Sequence, residues 1–483
     1  LIIDGRTDII AGVNILLINP PYALPFIREG RCQSPQSYRK NSVPQMTLAY
    51  LAGLLEREGH KIKVYDCIAS GLGDSELFED AAGFRPALAF INTTTPTIGS
   101  DLAFAAGLKK RFPGMALAVF GPHVTILHEE IMASSPFLDV AIRGEPEWAA
   151  VEIAGNAGGG GLGAQVLGCT TRTKNGVTVW PERRPEEDLD RFGFPDWRNL
   201  PIGEYVHPVF RKPYLMVNTG RGCRHRCIFC VAPKYYGTAV RHRSPSSVVE
   251  EIRAAVGGFG VRHFWFYADD FTESPAFVKD LCRSIVEARL DIVWWSNTRA
   301  DKPDPDMFCW MRKSGCVMLS IGGESGSPEM LRRMRKGARV EDLKGTVRVL
   351  RRAGIDSLVY FLIGLPGETQ ATIRETIRQA KKVNSDYVEF YPATPYPGTE
   401  LFRIASEEGW IAGEDWARFR YDDPAVSLPG LPPDRLKECI RSAYRGFYLR
   451  PRYLLVLLKR ARRPAEFVRL LRFGWGYFRR LLG

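Results

Sequence analysis

Six short apolar runs organise the second half of this chain, at 214–218, 263–268, 291–296, 317–321, 357–363 and 387–392. Helical segments separate them, several with explicit start signals. Ser244-Pro245 offers a capping hydroxyl and an N1 proline for a helix over 246–256, and Ser327-Pro328 does the same for 329–335. Thr369 is placed to cap a helix running to Lys382. Strands alternating with helices in this way leave few folds open. Six βα units predict a parallel sheet curled into a partial barrel, short of the closed eight-unit form, with its chemistry at the C-terminal ends of the strands.

The first of those ends carries the most specific chemistry. Arg221 to Cys230 reads Arg-Gly-Cys-Arg-His-Arg-Cys-Ile-Phe-Cys, so Cys223, Cys227 and Cys230 stand at C-x3-C-x2-C spacing. Three thiolates this close converge on one soft metal centre, and on a cubic iron–sulfur cluster they leave the fourth iron open to another molecule. Arg221, Arg224 and Arg226 are expected to lower the thiol pKa values. A structural zinc site wants four ligands, and His225 lies between the cysteines instead of beyond them. Cys32, Cys67, Cys169, Cys282, Cys309, Cys316 and Cys439 are scattered and read as small core residues of a protein kept in a reducing compartment, so a disulfide framework is not expected.

The other strand ends are polar where a core pattern should stop. They read Tyr267-Ala-Asp-Asp270, Ser296-Asn-Thr-Arg299, Gly322-Gly-Glu-Ser325, Gly364-Leu-Pro-Gly-Glu368 and Pro392 to Thr399. Each is ordinary turn chemistry taken singly. As an ordered set behind a thiol loop they describe a site.

The first half also alternates. Apolar strands at 14–19, 61–66, 87–92, 116–120 and 140–142 enclose helical segments such as 46–59 and 102–112. This pattern predicts a doubly wound, Rossmann-like α/β sheet of about five strands, which binds ligands beyond the strands' carboxyl ends. Those ends carry Asn19-Pro-Pro21, Asn92 to Thr95, Gly121-Pro-His123 and Arg143-Gly-Glu145. No G-x-G-x-x-G loop follows the first strand, which weakens a dinucleotide reading. Gly155 to Gly163 reads as a loop tip, and 166–179 as a hairpin turning at Asn175-Gly176 in a Pro- and Arg-rich bridge. The divisions expected are 13–154, a linker over 155–210, a barrel over 211–405 and a helical region over 406–483.

Net charge is +12, yet Gly446 to Gly483 holds ten Arg or Lys against Glu466 alone, a balance of 10 − 1 = +9. The rest carries only about +3, no broad nucleic-acid footprint. Tyr453–Arg463 and Ala465–Leu482 read as helices split at Pro464. The second sets Arg469, Arg472, Arg479 and Arg480 against an aromatic face, suited either to an anionic membrane surface or to packing on protein. Residues 1–12 hold Asp4, Arg6 and Asp8 and do not read as a signal peptide, and no window is apolar enough to span a membrane.

The thiol loop, with Phe229 before its last cysteine, resembles the signature of the radical S-adenosylmethionine (SAM) superfamily. With the five following strand ends it is similar to the Elp3/MiaB-like core of that family over about 200 residues. The preceding sheet resembles the cobalamin-binding domain of its B12-binding subclass, which includes methylases and anaerobic magnesium-protoporphyrin ester cyclases.

The resemblance implies a [4Fe-4S] cluster on Cys223, Cys227 and Cys230, with SAM on the open iron beside Phe229. It also implies Asp269 and Asp270 near the SAM amino group, Arg299 and Glu324 near its carboxylate and ribose, and Ile363 and Gly364 at adenine. By the same resemblance cobalamin would lie against Asn19, Thr94, Gly121, Pro122, Gly144 and Glu145. The Asp-x-His-x-x-Gly motif that ligates cobalt elsewhere is missing, so His123 is not assigned as a ligand.

The function implied is cleavage of SAM to a 5′-deoxyadenosyl radical for C-methylation of an unactivated carbon. Oxidative cyclisation of a tetrapyrrole-like substrate stays open. An RNA methylthiotransferase, which looks to need a second cysteine cluster, and a non-catalytic cofactor-binding sensor are weaker alternatives. The partners implied are a small-molecule substrate, a hydrophobic one suiting the amphipathic arm, and an electron donor such as flavodoxin or ferredoxin. The setting implied is cytoplasmic, with peripheral membrane contact left open.

Overall fold

The computed structural model describes residues 12–30, 32–35, 42–158, 165–208, 210–411, 415–451 and 453. The expected pair of basic C-terminal helices lies outside them from residue 454 onward. The chain divides into two compact units, the first formed largely by residues up to Pro213 and the second largely from Tyr214. No helix among the described residues is long and apolar enough to cross a membrane.

The first unit is built on strands β1 (Asn14–Asn19), β4 (Lys61–Asp66), β5 (Leu88–Asn92), β6 (Ala116–Phe120) and β7 (Val140–Ile142), all parallel in the order β4-β1-β5-β6-β7. A short ribbon, β2 (Phe26–Glu29) with β3 (Cys32–Pro35), follows the first strand. Ile15 to Ile18 and Leu88 to Ile91 are fully buried, as central strands covered on both faces require. The chain runs from β1 to one side at β4 and then to the other at β5, which puts the topological switch, and its crevice, beyond Asn19 and Asn92.

The five-stranded parallel expectation holds, and the sheet is longer than it. Strands β8 (Cys169–Thr173) and β9 (Gly176–Val179) form the expected hairpin, with its turn at Lys174-Asn175, one residue before the expected Asn175-Gly176, and β8 adds to β7 antiparallel, giving two more strands. The bridge assigned to this stretch is therefore partly sheet. The glycine-rich stretch is also corrected in part, because the helix Glu147–Gly158 runs through Gly155 to Gly158. The remainder of that call, 159–163, lies outside the described residues.

The second unit is one sheet of six parallel strands in sequential order. They are β10 (Leu215–Asn218), β13 (His263–Tyr267), β14 (Val293–Arg299), β15 (Cys316–Glu324), β16 (Asp356–Ile363) and β17 (Tyr387–Pro392). A two-residue ribbon, β11 (Gly220–Arg221) with β12 (Arg241–His242), brackets the thiol loop. Right-handed crossovers taken in unbroken order put every connecting helix on the same face of the sheet. The helices are amphipathic for that task. Val340–Ala353 buries Leu343, Thr346, Val347 and Leu350, one stripe at helical spacing.

Ser244 and Thr369 cap their helices, accepting from the amides of Ser247 and Thr372. Ser327 does not: the helix Pro328–Arg333 begins without a side-chain cap, and the Ser327 amide instead donates to Ser325 Oγ at 3.1 Å. Of the scattered cysteines, Cys67, Cys169, Cys282 and Cys316 are buried, whereas Cys309 is exposed on the solvent side of Pro305–Lys313.

The edge strand β17 is closed by the helix Pro433–Tyr448. Its otherwise unpaired Phe390 and Val388 amides donate to the hydroxyls of Tyr444 and Tyr448, each at 3.0 Å.

Candidate functional site

The loop that follows β10 is fixed to the second unit at both ends. Thr219 donates from its amide to Tyr267 O at 2.9 Å, and the Gly222 amide donates to Asp269 Oδ2 at 2.9 Å. Further along, the Ile228 amide donates to Met334 O at 3.1 Å, while Ile228 O accepts from Leu401 N at 2.8 Å. The Ile228 side chain lies in a buried cluster with Met330, Leu331, Met334 and Leu362, and Phe229 packs against it. Apolar anchoring of one residue within the loop leaves the neighbouring thiols free of the core. Cys223, Cys227 and Cys230 are all partly exposed.

At Cys223 the electrostatics differ from expectation. Burial pushes the Cys223 thiol up to about 11, with the neighbouring Cys230 thiolate and the Asp269 and Asp270 carboxylates adding to the rise. The arginines do not reverse this, because two are directed elsewhere. Arg224 is ion-paired with Glu273 and largely exposed, and Arg226 is exposed. A positive metal centre supplies the missing charge when thiolates ligate it.

Two carboxylates end β13. Asp269 is tied to the loop backbone as described. Asp270 accepts from Thr272 Oγ1 at 3.4 Å, and its Oδ2 lies 3.7 Å from His225 Nε2. His225, Asp270 and Glu273 bring their donor atoms within 4.8 Å of one another. Arg224 and Lys302 both pair with Glu273, so the group is an ion-pair network and not a second metal site.

Arg299 ends β14 with its Nε and Nη2 on the two oxygens of Asp301, at 2.9 and 3.1 Å, and with Nη2 also donating to Lys336 O at 2.6 Å. Burial works against its charge, but Asp301, and further off Cys227 and Asp270, hold the guanidinium above its ordinary range. Glu324 ends β15 just past a register shift, at φ 57°, a conformation rare outside glycine. Its Oε1 accepts from Lys336 Nζ at 2.7 Å.

Lys336 was not singled out in the sequence. Burial depresses its pKa, yet Glu324 and then Cys227 outweigh that and raise it. Both Arg299 and Lys336 thus lie within electrostatic reach of the Cys227 thiol.

Gly364 follows β16 at φ 99°, and Glu368 Oε2 accepts from the amides of Gly364 and Leu365 at 2.5 and 3.1 Å. Ile363 is fully buried, and its carbonyl accepts from Ala393 N at 2.8 Å. Alternation along β16 directs its side chain to the helix-covered face, which leaves only its backbone to meet a ligand at the strand end.

In the first unit the named residues fall into two groups. Asn19 donates to Asp66 Oδ1 at 2.7 Å and accepts from Arg28 Nη1 at 2.8 Å. Arg28 also pairs with Asp101 at 2.6 Å, both fully buried, and Thr94 Oγ1 lies 2.8 Å from Thr97 Oγ1 in the same network. These side chains are engaged in shaping the switch-point loops. The second group is backbone. Thr125 Oγ1 donates to Gly121 O at 2.9 Å and accepts from Gly144 N at 3.0 Å, tying the loops after β6 and β7 together. Pro122 is the first residue of the helix Pro122–Ser134, and Glu145 is partly exposed beside Gly144. A Cβ on Gly121, at φ 132°, would stand 2.1 Å from Thr93 O. Close backbone packing of this kind, with Pro122 and Gly144 beside it, makes this stretch a side-chain-poor ledge. Burial lowers the His123 pKa to about 4.

Comparison with known proteins gives a consistent picture. The family model of the Radical SAM superfamily matches residues 217–380, and that of the B12 binding domain matches 37–154. An uncharacterized methyltransferase of Pyrococcus horikoshii is 30% identical over 412 residues, covering 85% of this chain and 89% of that one. The anaerobic magnesium-protoporphyrin IX monomethyl ester cyclase of Rubrivivax gelatinosus is 26% identical, covering 85% of this chain and 75% of its own. Among solved structures, the radical SAM methyltransferase TsrM of Kitasatospora setae, with cobalamin and a [4Fe-4S] cluster bound, shares the fold. Its TM-score is 0.69 at 20% identity, over 83% of this chain and 79% of that chain.

Proposed function

This chain belongs to the radical SAM superfamily, in the group that carries a B12-binding domain ahead of the radical core, and on that premise we propose that it is a cobalamin-dependent methyltransferase acting at an unactivated carbon of a small molecule. The observation that carries the reading is the gathering of Cys227, Arg299 and Lys336 at one end of the second sheet, with Asp269 clamped to the thiol loop.

In this reading Cys223, Cys227 and Cys230 hold the [4Fe-4S] cluster, and the donor set fits: three soft thiols in one anchored, partly exposed loop. When loaded, the cluster with SAM supplies a 5′-deoxyadenosyl radical by one-electron reduction, and cobalamin supplies the methyl group. The chain's own residues bind and orient. Asp270 faces the loop to receive the SAM amino group, while Arg299 Nη1 and Glu324 Oε2, the atoms outside the pairs described above, take the carboxylate and ribose. Phe229 flanks the sulfonium, and the Gly364 turn offers backbone to adenine. In the first unit the Gly121-Pro122 and Gly144-Glu145 ledge carries the corrin, with Asn19 and Thr94 as its buried support.

The electron comes from an external carrier such as a flavodoxin or ferredoxin. Exposed Arg226 and Arg332, on segments joined through the Ile228–Met334 contact, suit an acidic partner. The cyclase relative keeps oxidative ring closure as a second reading. Anaerobic purification with cluster reconstitution, then incubation with SAM and reductant, tests the whole. A reduced, intact cluster that forms no 5′-deoxyadenosine would refute the radical reading, and protein lacking corrinoid after growth with cobalamin would refute the methyl source. Product mass separates methyl gain from loss of hydrogen.

A further inference from the structure

The helices that cover the second sheet carry their charge unequally. Pro275–Glu287 sets Lys279 and Arg283 against Asp280 and Glu287, and both of its cations are ion-paired. In Pro245–Phe259 the one cation, Arg253, pairs with Glu250. Two helices further along the sheet are different. Val340–Ala353 exposes Lys344, Arg348, Arg351 and Arg352, and Gln370–Val383 exposes Arg374, Arg378, Lys381 and Lys382. Each set falls at i, i+4, i+7 and i+8, one helical face turned away from the buried stripe. None of these cations enters an ion pair among the described residues.

The two stripes are contiguous, and a third helix extends them. Val340–Ala353 packs beside Gln370–Val383, which in turn packs beside the closing helix Pro433–Tyr448. Lys381 Nζ lies over Gly446 of that helix, where a Cβ would stand 3.2 Å from it. Pro433–Tyr448 adds Arg441 and Arg445, again without ion pairs among the described residues. Acids on the striped helices are few. Glu341 and Asp342 stand in the first turn of one, where Asp342 pairs with Arg339, and Glu375 is alone on the other. Like charges four residues apart repel and destabilise a helix, and a polyanionic surface offsets that repulsion.

The residues that follow this face say which polyanion. Arg450 Nη1 donates to Lys381 O at 2.9 Å and Tyr453 Oη to Asp386 O at 3.0 Å, so the last described residue sits beside the C-terminal turn of Gln370–Val383. Leu449, just before, is 52% exposed. The sequence from 454 to 483 opens on Leu-Leu-Val-Leu-Leu and holds five aromatic residues, with eight Arg or Lys against Glu466 alone. Apolar and aromatic residues set among arginines suit the interface of an anionic bilayer. Single-stranded nucleic acid is held by aromatic rings placed among the cations, and neither striped helix contains one.

We propose that the basic face formed by Val340–Ala353 and Gln370–Val383 docks the second unit on an anionic lipid bilayer. The face lies outside the thiol loop and the residues assigned to SAM, so the proposal holds whether or not the radical reading does.

Flotation of the full chain with lipid vesicles tests it. Vesicles with about one third phosphatidylglycerol in phosphatidylcholine should bind the chain at least about tenfold more tightly than phosphatidylcholine alone, and high salt should remove the difference. The combined variant Arg348→Gln, Arg352→Gln, Arg374→Gln and Arg378→Gln should weaken binding to the anionic vesicles at least about tenfold. Lysine at the same positions keeps the charge and should keep the binding. Equal binding to neutral and anionic vesicles would overturn the proposal, and so would a glutamine variant that binds like wild type. Loss of binding in the lysine variant as well, at an unchanged urea midpoint, would also overturn it, because a bilayer reads charge and not guanidinium geometry. Transfer RNA that displaces the chain from anionic vesicles at equal phosphate concentration would assign the face to nucleic acid instead.

Discussion

Lys336 Nζ lies 2.7 Å from Glu324 Oε1, and each side chain is 8% exposed. The pair joins the end of β15 to a segment whose exposed side chains are those of Arg332, Arg333, Arg335 and Arg339. Breaking a buried pair from one side leaves the other charge without compensation, at a cost of about 3–5 kcal/mol, whereas apolar replacement of both is often neutral. Lys336→Met should therefore lower the urea midpoint sharply, and Lys336→Met with Glu324→Leu should recover most of the loss. Equal destabilisation in single and double variants would show that the pair is not coupled.

The same pair shows where the sequence was legible and where it was not. Strand and helix positions in both units follow from periodicity, because central parallel strands must be apolar throughout and their covering helices striped. The thiol loop is legible because its three ligands fall within one stretch of eight residues. Lys336 is not, since Arg332 to Arg339 reads as a solvated basic run, and only the turn of the chain after Arg333 brings its single lysine inward. Arg299 was found, but its bidentate hold on Asp301 depends on a turn two residues long that polarity alone does not reveal. At Cys223 the thiol pKa argument failed for a related reason. Charge adjacency in sequence took no account of the Glu273 carboxylate that draws Arg224 away.

Glu368 gives a pH dependence of definite sign. Burial raises its pKa to about 7, against the lowering effect of the Gly364 and Leu365 amides. The folded state then keeps a proton that the unfolded chain releases near its ordinary value of 4.5, so folding stability falls as pH rises from about 4.5 to 7 and levels off above. Glu368→Gln keeps an acceptor for the amides without the ionisation. Its stability relative to wild type should rise by up to roughly 3 kcal/mol between pH 5 and pH 8, read from urea titrations at the two values. A flat difference would show that Glu368 does not titrate in this range.

Cys227→Ala should abolish 5′-deoxyadenosine formation, because two thiols do not hold the cluster. Corrinoid content should stay near wild type, since the residues assigned to cobalamin all belong to the first unit. Parallel loss of cluster and corrinoid, measured by iron and cobalt analysis, would refute that division of labour.

Gly121→Ala places a methyl group against Thr93 O at 2.1 Å in a backbone region that side chains avoid. Strain of this kind costs about 1–3 kcal/mol before the overlap is counted. The variant should lose most of its cobalt while retaining iron, the converse of Cys227→Ala. Retention of both metals at wild-type levels would show that the ledge after β6 does not support the corrin.

Arg226 and Arg332 test how the electron arrives. Both are exposed, and neither is engaged in an ion pair among the described residues, so reversing their charge removes attraction without uncovering a buried partner. Encounter with an acidic carrier depends on such charges mainly through its association rate, and that dependence weakens with salt. The double variant Arg226→Glu and Arg332→Glu should slow flavodoxin-driven 5′-deoxyadenosine formation about tenfold at low salt. At high ionic strength the gap should close, and with dithionite, a small reductant that needs no docking, rates should match wild type. A defect that persists with dithionite would mean that the substitutions damage the cluster loop itself, and a carrier-driven rate unchanged at low salt would move the docking surface elsewhere.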